Sequence, residues 1–253
     1  MKDLILNYIR ETSATSRARL VSYYSNEVNE ISLLISKIIM PLQAYGSTVT
    51  KSPDEDPKHA AYGLMTRGAN SLMAGFELAL NGYFWEPPVI LRTALEEFSS
   101  AWDIVHNPKR FLLWKADKKF SSTDSVSNCK EINPVIGKLY GMLSNLYTHI
   151  GPINSSPALV MNGNDAKFQF FGSIRSGKEN IREGEIYLSL LLTHVCLQMT
   201  ELCFHAYINE FETVERIPGK MEMKTKVSDR HRIFADKAMA HFKNQIDEPL
   251  SAF

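Results

Sequence analysis

Apolar residues recur at three- and four-residue spacing along most of this chain, the period of a helix that buries one face. The pattern is clearest after Gly82-Tyr83-Phe84-Trp85-Glu86-Pro87-Pro88, where Leu91, Ala94, Leu95, Phe98, Trp102 and Val105 fall on one side of a helix predicted over 89–106. Pro87 and Pro88 suit its first turn, where a missing N–H is harmless and the fixed φ is already helical. Asn107-Pro108 ends it, because a residue before proline is pushed out of the α region. At 100° per residue, Arg92, Glu96, Ser99 and Asp103 form a second stripe beside the apolar face, with His106 at its near edge. A stripe that borders a core is half-buried by geometry.

The same period runs through the rest of the chain. Residues 15–45 read as one helix through Leu20, Tyr23, Tyr24, Val28, Ile31, Leu34, Ile35 and Ile38, which Pro41 bends or ends. After a polar loop over 46–57, a helix over 59–81 is thinned by Gly63, Gly68, Ala69, Ala74 and Gly75 and stopped by Asn81-Gly82. Its short connection to the 89–106 helix predicts an antiparallel helical hairpin. Residues 109–120 mix Arg110, Lys115, Lys118 and Lys119 with Phe111, Leu112 and Trp114, a solvated face or a basic contact surface. Residues 121–127 read as a polar loop, and 132–149 as a helix closed by Gly151-Pro152.

Two short apolar runs around Asn162-Gly163-Asn164-Asp165 predict a β-hairpin within 158–171. The stretch 179–211 is apolar on both sides and should be the most buried helix. Pro218-Gly219 breaks the pattern. Beyond it lies a polar, locally basic segment with one amphipathic helix carrying Ile233, Phe234, Ala238 and Phe242. The predicted fold is therefore mostly all-α: an antiparallel bundle over 1–218 with a small inserted β-hairpin, then a C-terminal helical arm over 219–253.

Composition narrows the setting. The chain has 253 residues, 44% of them hydrophobic, and 28 basic residues balance 28 acidic ones, so no global field draws in polyanions. The start lacks the apolar run of a signal peptide, and His194, Gln198, Glu201 and His205 interrupt the apolar stretch 186–208. Both features point to a cytoplasmic protein with no membrane segment. Three cysteines without metal-type spacing read as reduced thiols, and Cys196 and Cys203 as packing residues.

Candidate chemistry is sparse. Arg92 and Glu96 are either an ordinary ion pair one turn apart or a fixed charged pair lining a groove. With His149 they form the candidate catalytic set, and Tyr140, Ser144 and Asp103 the candidate ligand-binding set. On a continuous helix Ser144 and His149 stand about 140° apart and cannot pair as nucleophile and base. His149 in a last turn also complements the helix dipole. His194, Glu201 and His205, with Gln198 on the same stripe, are weak metal candidates, since di-metal bundles require Glu-x-x-His motifs on two helices. The bland alternative is a row of core side chains satisfied by neighbouring helices. Arg230-His231-Arg232 is a short basic cluster. No Gly-rich phosphate loop, Cys-x-x-Cys, His-Glu-x-x-His or Gly-x-Ser-x-Gly occurs, and no cofactor is implied.

Leu91-Arg92-Thr93-Ala94-Leu95-Glu96 after the Gly82-Tyr83 turn, then Tyr140-x-x-Leu143-Ser144 and His149, resemble a group of bacterial helical proteins that is itself similar to the HEPN-type helical bundles of toxin–antitoxin and phage-defence systems, over about 60–152. The resemblance implies a helical bundle and a role near RNA or defence. HEPN ribonucleases pair an Arg with a His four to six residues away at a dimer interface, and no Arg-to-His spacing here reproduces that pattern. The function expected is a non-catalytic binding or regulatory module linked to stress or phage defence. The alternatives are a divergent RNA-cleaving or nucleotide-modifying enzyme using Arg92, Glu96 and His149, or a metal-dependent helical oxidase. A homodimer is expected because the apolar side of 232–242 has no place in a five-helix core, and a protein or RNA partner fits the resemblance.

Overall fold

The computed structural model describes residues 2–53, 55–83, 86–117, 120–145, 159–162, 165–168, 180–208, 214–217 and 220–223. Helices dominate: α1 Lys2–Tyr23, α2 Ser25–Gly46, α3 Pro57–Leu80, α4 Glu86–His106, α5 Pro108–Lys115, α6 Ser122–Cys129, α7 Pro134–Leu143 and α8 Asn180–Phe204. Two short antiparallel pairs accompany them, β1 Leu159–Asn162 with β2 Asp165–Phe168, and β3 Val214–Ile217 with β4 Lys220–Met223. The second pair flanks Pro218-Gly219, where the sequence pattern shows only a break.

The predicted hairpin of α3 and α4 is the spine of the bundle. Asp56 caps α3 by accepting from Lys58 N at 2.8 Å, with Pro57 in the first turn. At the far end Gly82 takes φ 89°, the left-handed conformation that ends a helix at little cost. The small residues of α3 serve its approach to α4. A Cβ on Gly68 would stand 2.7 Å from the Phe98 ring, and one on Gly75 would stand 2.9 Å from Leu91. Pro87 and Pro88 lie in the first turn of α4, and Leu91, Ala94, Leu95 and Phe98 are fully buried.

α8 fills the centre, packed against α2, α3 and α4. Every residue from Glu185 to Glu201 is buried. Its segment Gly184–Tyr207 is long and apolar enough to cross a membrane, but 94% of that window is covered by the protein's own helices, as in a core helix. The helix ends at Phe204 rather than 211, in a 3₁₀ turn His205–Tyr207.

Several predicted boundaries are corrected. The helix expected over 15–45 is two helices that meet at Tyr24, and the first begins at Lys2. Pro41 does not end α2. It is buried within the last two turns, and the helix continues to Gly46. The polar loop expected over 121–127 is α6: Ser121 caps it by accepting from Asp124 N at 3.3 Å, while Ser125, Val126 and Cys129 face inward. Asn107-Pro108 ends α4 but also starts α5, since Asn107 accepts from Lys109 N at 3.2 Å. α7 begins at Pro134 and runs to Leu143, Ser144 and Asn145 continue it as a π-helical turn, and the rest of the span expected to His149 lies outside the described residues. His149 and the 232–242 segment on which a dimer was expected lie outside the described residues.

Candidate functional site

Three helices bring the Arg92–Glu96 stripe its partners. Arg92 and Glu96 leave α4 from adjacent turns, and their side chains are 27% and 23% exposed. α7 sets Tyr140 across from them, and α6 adds Thr123. The Arg92 guanidinium donates from Nη2 to the Tyr140 hydroxyl at 3.0 Å and pairs with Glu96 Oε1 at 3.0 Å. Tyr140 in turn donates to Glu96 Oε1 at 3.0 Å. A phenol has one proton to give, so the 3.1 Å contact with Thr123 Oγ1 has the threonine donating. The Tyr140 oxygen thus accepts from Arg92 and Thr123 and donates to Glu96.

The ring contributes as well, because the Arg92 Cζ lies 5.0 Å from the Tyr140 ring centroid. Burial pulls the Arg92 pKa down, but the hydrogen bond to Tyr140 and the charge of Glu96 outweigh it and leave the pKa raised. Arg92 Nε is buried and has no acceptor among the described residues. The result is a fixed, partly exposed cation held by a carboxylate and a phenol.

Of the remaining candidates, Ser144 stands one residue beyond α7, half-buried on the face that carries Tyr140. Asp103 belongs elsewhere. It is 1% exposed, with Oδ2 accepting from Arg110 Nε at 2.6 Å and from Ser125 Oγ at 2.8 Å, and Oδ1 from Asn128 Nδ2 at 2.9 Å. Arg110 also donates to the Ser121 carbonyl at 2.7 Å and to Ser125 Oγ at 2.9 Å, and covers the Phe120 ring at 4.5 Å. This is a brace joining α4, α5 and α6. It also takes Arg110 out of the basic surface contemplated for 109–120.

The metal candidates are not gathered. His194 and Glu201 are buried on α8, while His205 is exposed beyond its end. Among the described residues no group of three His, Cys, Asp or Glu could hold a metal ion. Gln198 of the same stripe accepts from Asn133 Nδ2 at 3.0 Å, tying α8 to the start of α7. The thiols are inert packing groups. Burial pushes Cys129 up to about 12 and raises Cys196 and Cys203 as well, so none forms a thiolate near neutrality.

Sequence reasoning missed Thr123, because nothing in the apolar pattern marks α6. Its signal was Ser121, three residues before Asp124, a helix start with an acid in the first turn. No family model, curated protein or solved structure matches this chain.

Proposed function

We propose that the chain is a helical binding or regulatory module that offers the Arg92–Glu96–Tyr140 face to a protein or RNA partner, in the stress or phage-defence setting that the HEPN resemblance implies. The observation behind this reading is the closed state of the Tyr140 phenol. Its proton and both its acceptor positions are taken by Arg92, Glu96 and Thr123, an arrangement that holds a cation in place rather than moving a proton. Arg92 remains more than a quarter exposed, so its guanidinium could donate to a partner's carbonyl, carboxylate or phosphate. A divergent RNA-cleaving enzyme is the rival reading.

Two measurements test it. Purified protein incubated with mixed single-stranded RNA should leave the RNA intact. Cleavage that Arg92→Ala abolishes would establish the enzyme instead. In-cell crosslinking of wild type and Arg92→Ala at equal expression should show an RNA or protein species that the variant loses. The substitution removes an i,i+4 pair and a cation–π contact, about 1–2 kcal/mol together, so the variant should stay folded. Identical crosslinking profiles from two folded proteins would leave the cluster a purely structural pair.

A further inference from the structure

A polar pocket lies at the opposite end of α4 from Arg92. The packing register of the hairpin sets Gly75 on Leu91 and Gly68 on Phe98, so His59 near the start of α3 falls opposite the end of α4. That end is roughly 20 Å along α4 from Arg92, at 1.5 Å per residue. Here the end of α2, the loop after it, the first turn of α3 and the 3₁₀ turn after α8 line a half-open pocket of about 190 Å³. Tyr45, Thr48, Lys51, Asp56, His59 and Tyr207 are in its wall.

The wall is rigid on one side. The Tyr45 ring meets Tyr207 edge-on at 5.3 Å and lies tilted against Phe204 at 4.9 Å and Tyr62 at 5.7 Å. The Tyr45 phenol is held protonated, first by burial and then by Asp56 and Tyr207, so it remains a donor at neutral pH. Thr48 gives its proton to the Tyr45 carbonyl at 2.8 Å. Its 3.4 Å separation from the Tyr207 hydroxyl is too long to hold that second proton firmly. His59 Nδ1 is buried without a hydrogen-bond partner among the described residues, an uncommon state for a polar atom. Lys51 adds an exposed ammonium group. Among the described residues of the wall the single carboxylate, Asp56, already has Oδ1 committed to capping α3. Donors outnumber acceptors.

We infer that this pocket binds a small organic anion, a carboxylate or phosphate ester that also carries a hydroxyl or ammonium donor. Lys51, His59 and the tyrosine hydroxyls meet the oxyanion, and Asp56 accepts from the donor end. Counting about 30 Å³ per water, the space corresponds to roughly six waters, the size of a hydroxy acid or a triose phosphate. The site shares no residue with the Arg92 face, so its test stands apart from that of the proposed function.

The experiment is calorimetric and thermal-shift titration of the full chain with inorganic phosphate, glycerol phosphate and malate, matched for ionic strength with sodium chloride. At least one organic anion should saturate with a Kd below about 1 mM and raise the melting temperature. Lys51→Ala, an exposed change that spares the fold, should weaken binding about tenfold, and Tyr207→Phe several-fold. The inference is overturned if no probe saturates by about 10 mM, or if only inorganic phosphate does. It is equally overturned by binding that both Lys51→Ala and His59→Gln leave unchanged.

Discussion

Asp103 is the side chain whose loss should cost the fold most among the sequence-derived candidates. Asp103→Ala removes the acceptor of the 2.6 Å bond from Arg110 and of the bonds from Ser125 and Asn128. It leaves a guanidinium whose side chain is only 10% exposed. Removing one partner of a buried pair typically costs about 3–5 kcal/mol. Arg110 would keep the Ser121 carbonyl, Ser125 and the Phe120 ring, and Asp124 lies 3.6 Å away, so the lower end applies, about 3 kcal/mol. For a chain of this length each kcal/mol lowers the melting temperature by about 2–4 °C, giving a fall of about 6–12 °C. Differential scanning calorimetry of Asp103→Ala, Arg110→Ala and the double variant provides the check. The double variant should be less destabilised than the sum of the singles by about 1–3 kcal/mol, since the second substitution removes the stranded charge. A drop below about 2 °C, or strict additivity, would refute the brace.

Glycine positions in α3 give a matched pair. Gly63 faces open space where a methyl would project, so Gly63→Ala should stabilise by about 0.5–1 kcal/mol through helix propensity. Gly68→Ala should destabilise by about 1–3 kcal/mol, because its methyl meets the fully buried Phe98 ring. Urea melts of the two variants shifting in the same direction would contradict the packing register. His106 stacks on Trp102 at 4.7 Å and its pKa is lowered, first by burial, with Lys58 and His205 adding to the effect while the Trp102 carbonyl and Asp103 oppose it. The unfolded chain therefore binds this proton more readily, and stability falls as pH drops from about 7 through the folded-state pKa. His106→Gln should flatten that part of the melting-temperature profile, and an unchanged acid slope would show that His106 does not govern it.

The long-range plan of the bundle is legible where punctuation and periodicity agree. Pro87-Pro88 and Asn81-Gly82 mark the ends of the α3–α4 hairpin, and the helical wheel sets Arg92 beside Glu96 on a half-buried edge. The break at Tyr24 has no such mark, since neither glycine nor proline is there and no side chain caps α2. α6 is hidden by composition: its inward face is only Ser125, Val126 and Cys129, and two of its polar residues, Ser125 and Asn128, serve the brace while Thr123, Asp124 and Ser127 are exposed. A proline after Asx is a start signal as well as a stop. Asp56-Pro57, Asn107-Pro108 and Asn133-Pro134 each begin a helix, with the first side chain accepting from the backbone N–H two residues on and the proline in the first turn. As starts, Asn107-Pro108 divides two helices and Asn133-Pro134 fixes the beginning of the one that carries Tyr140.

The hidden helix also explains why the fate of the polar stripe is not evident from the wheel alone. Arg92, Glu96, Ser99 and Asp103 share one edge of α4, yet α6 covers only part of it. Ser99 and Asp103 are sealed beneath that cover, while Arg92 and Glu96 stay partly open. The brace and the site are thus both built on α4 and α6. Ser125 and Asn128 fasten α6 to Asp103, and Thr123 of α6 fixes the Tyr140 hydroxyl. Asn133 ties the start of α7 to Gln198 of the central helix, so Tyr140 is held from both sides. Arg preceding Glu by four residues is the weaker order for a helix ion pair. With Tyr140 bridging the two charges, the pair no longer depends on that order. The hydroxyl supplies an acceptor to Arg92 and a proton to Glu96, which turns a weak surface pair into a three-residue network across two helices.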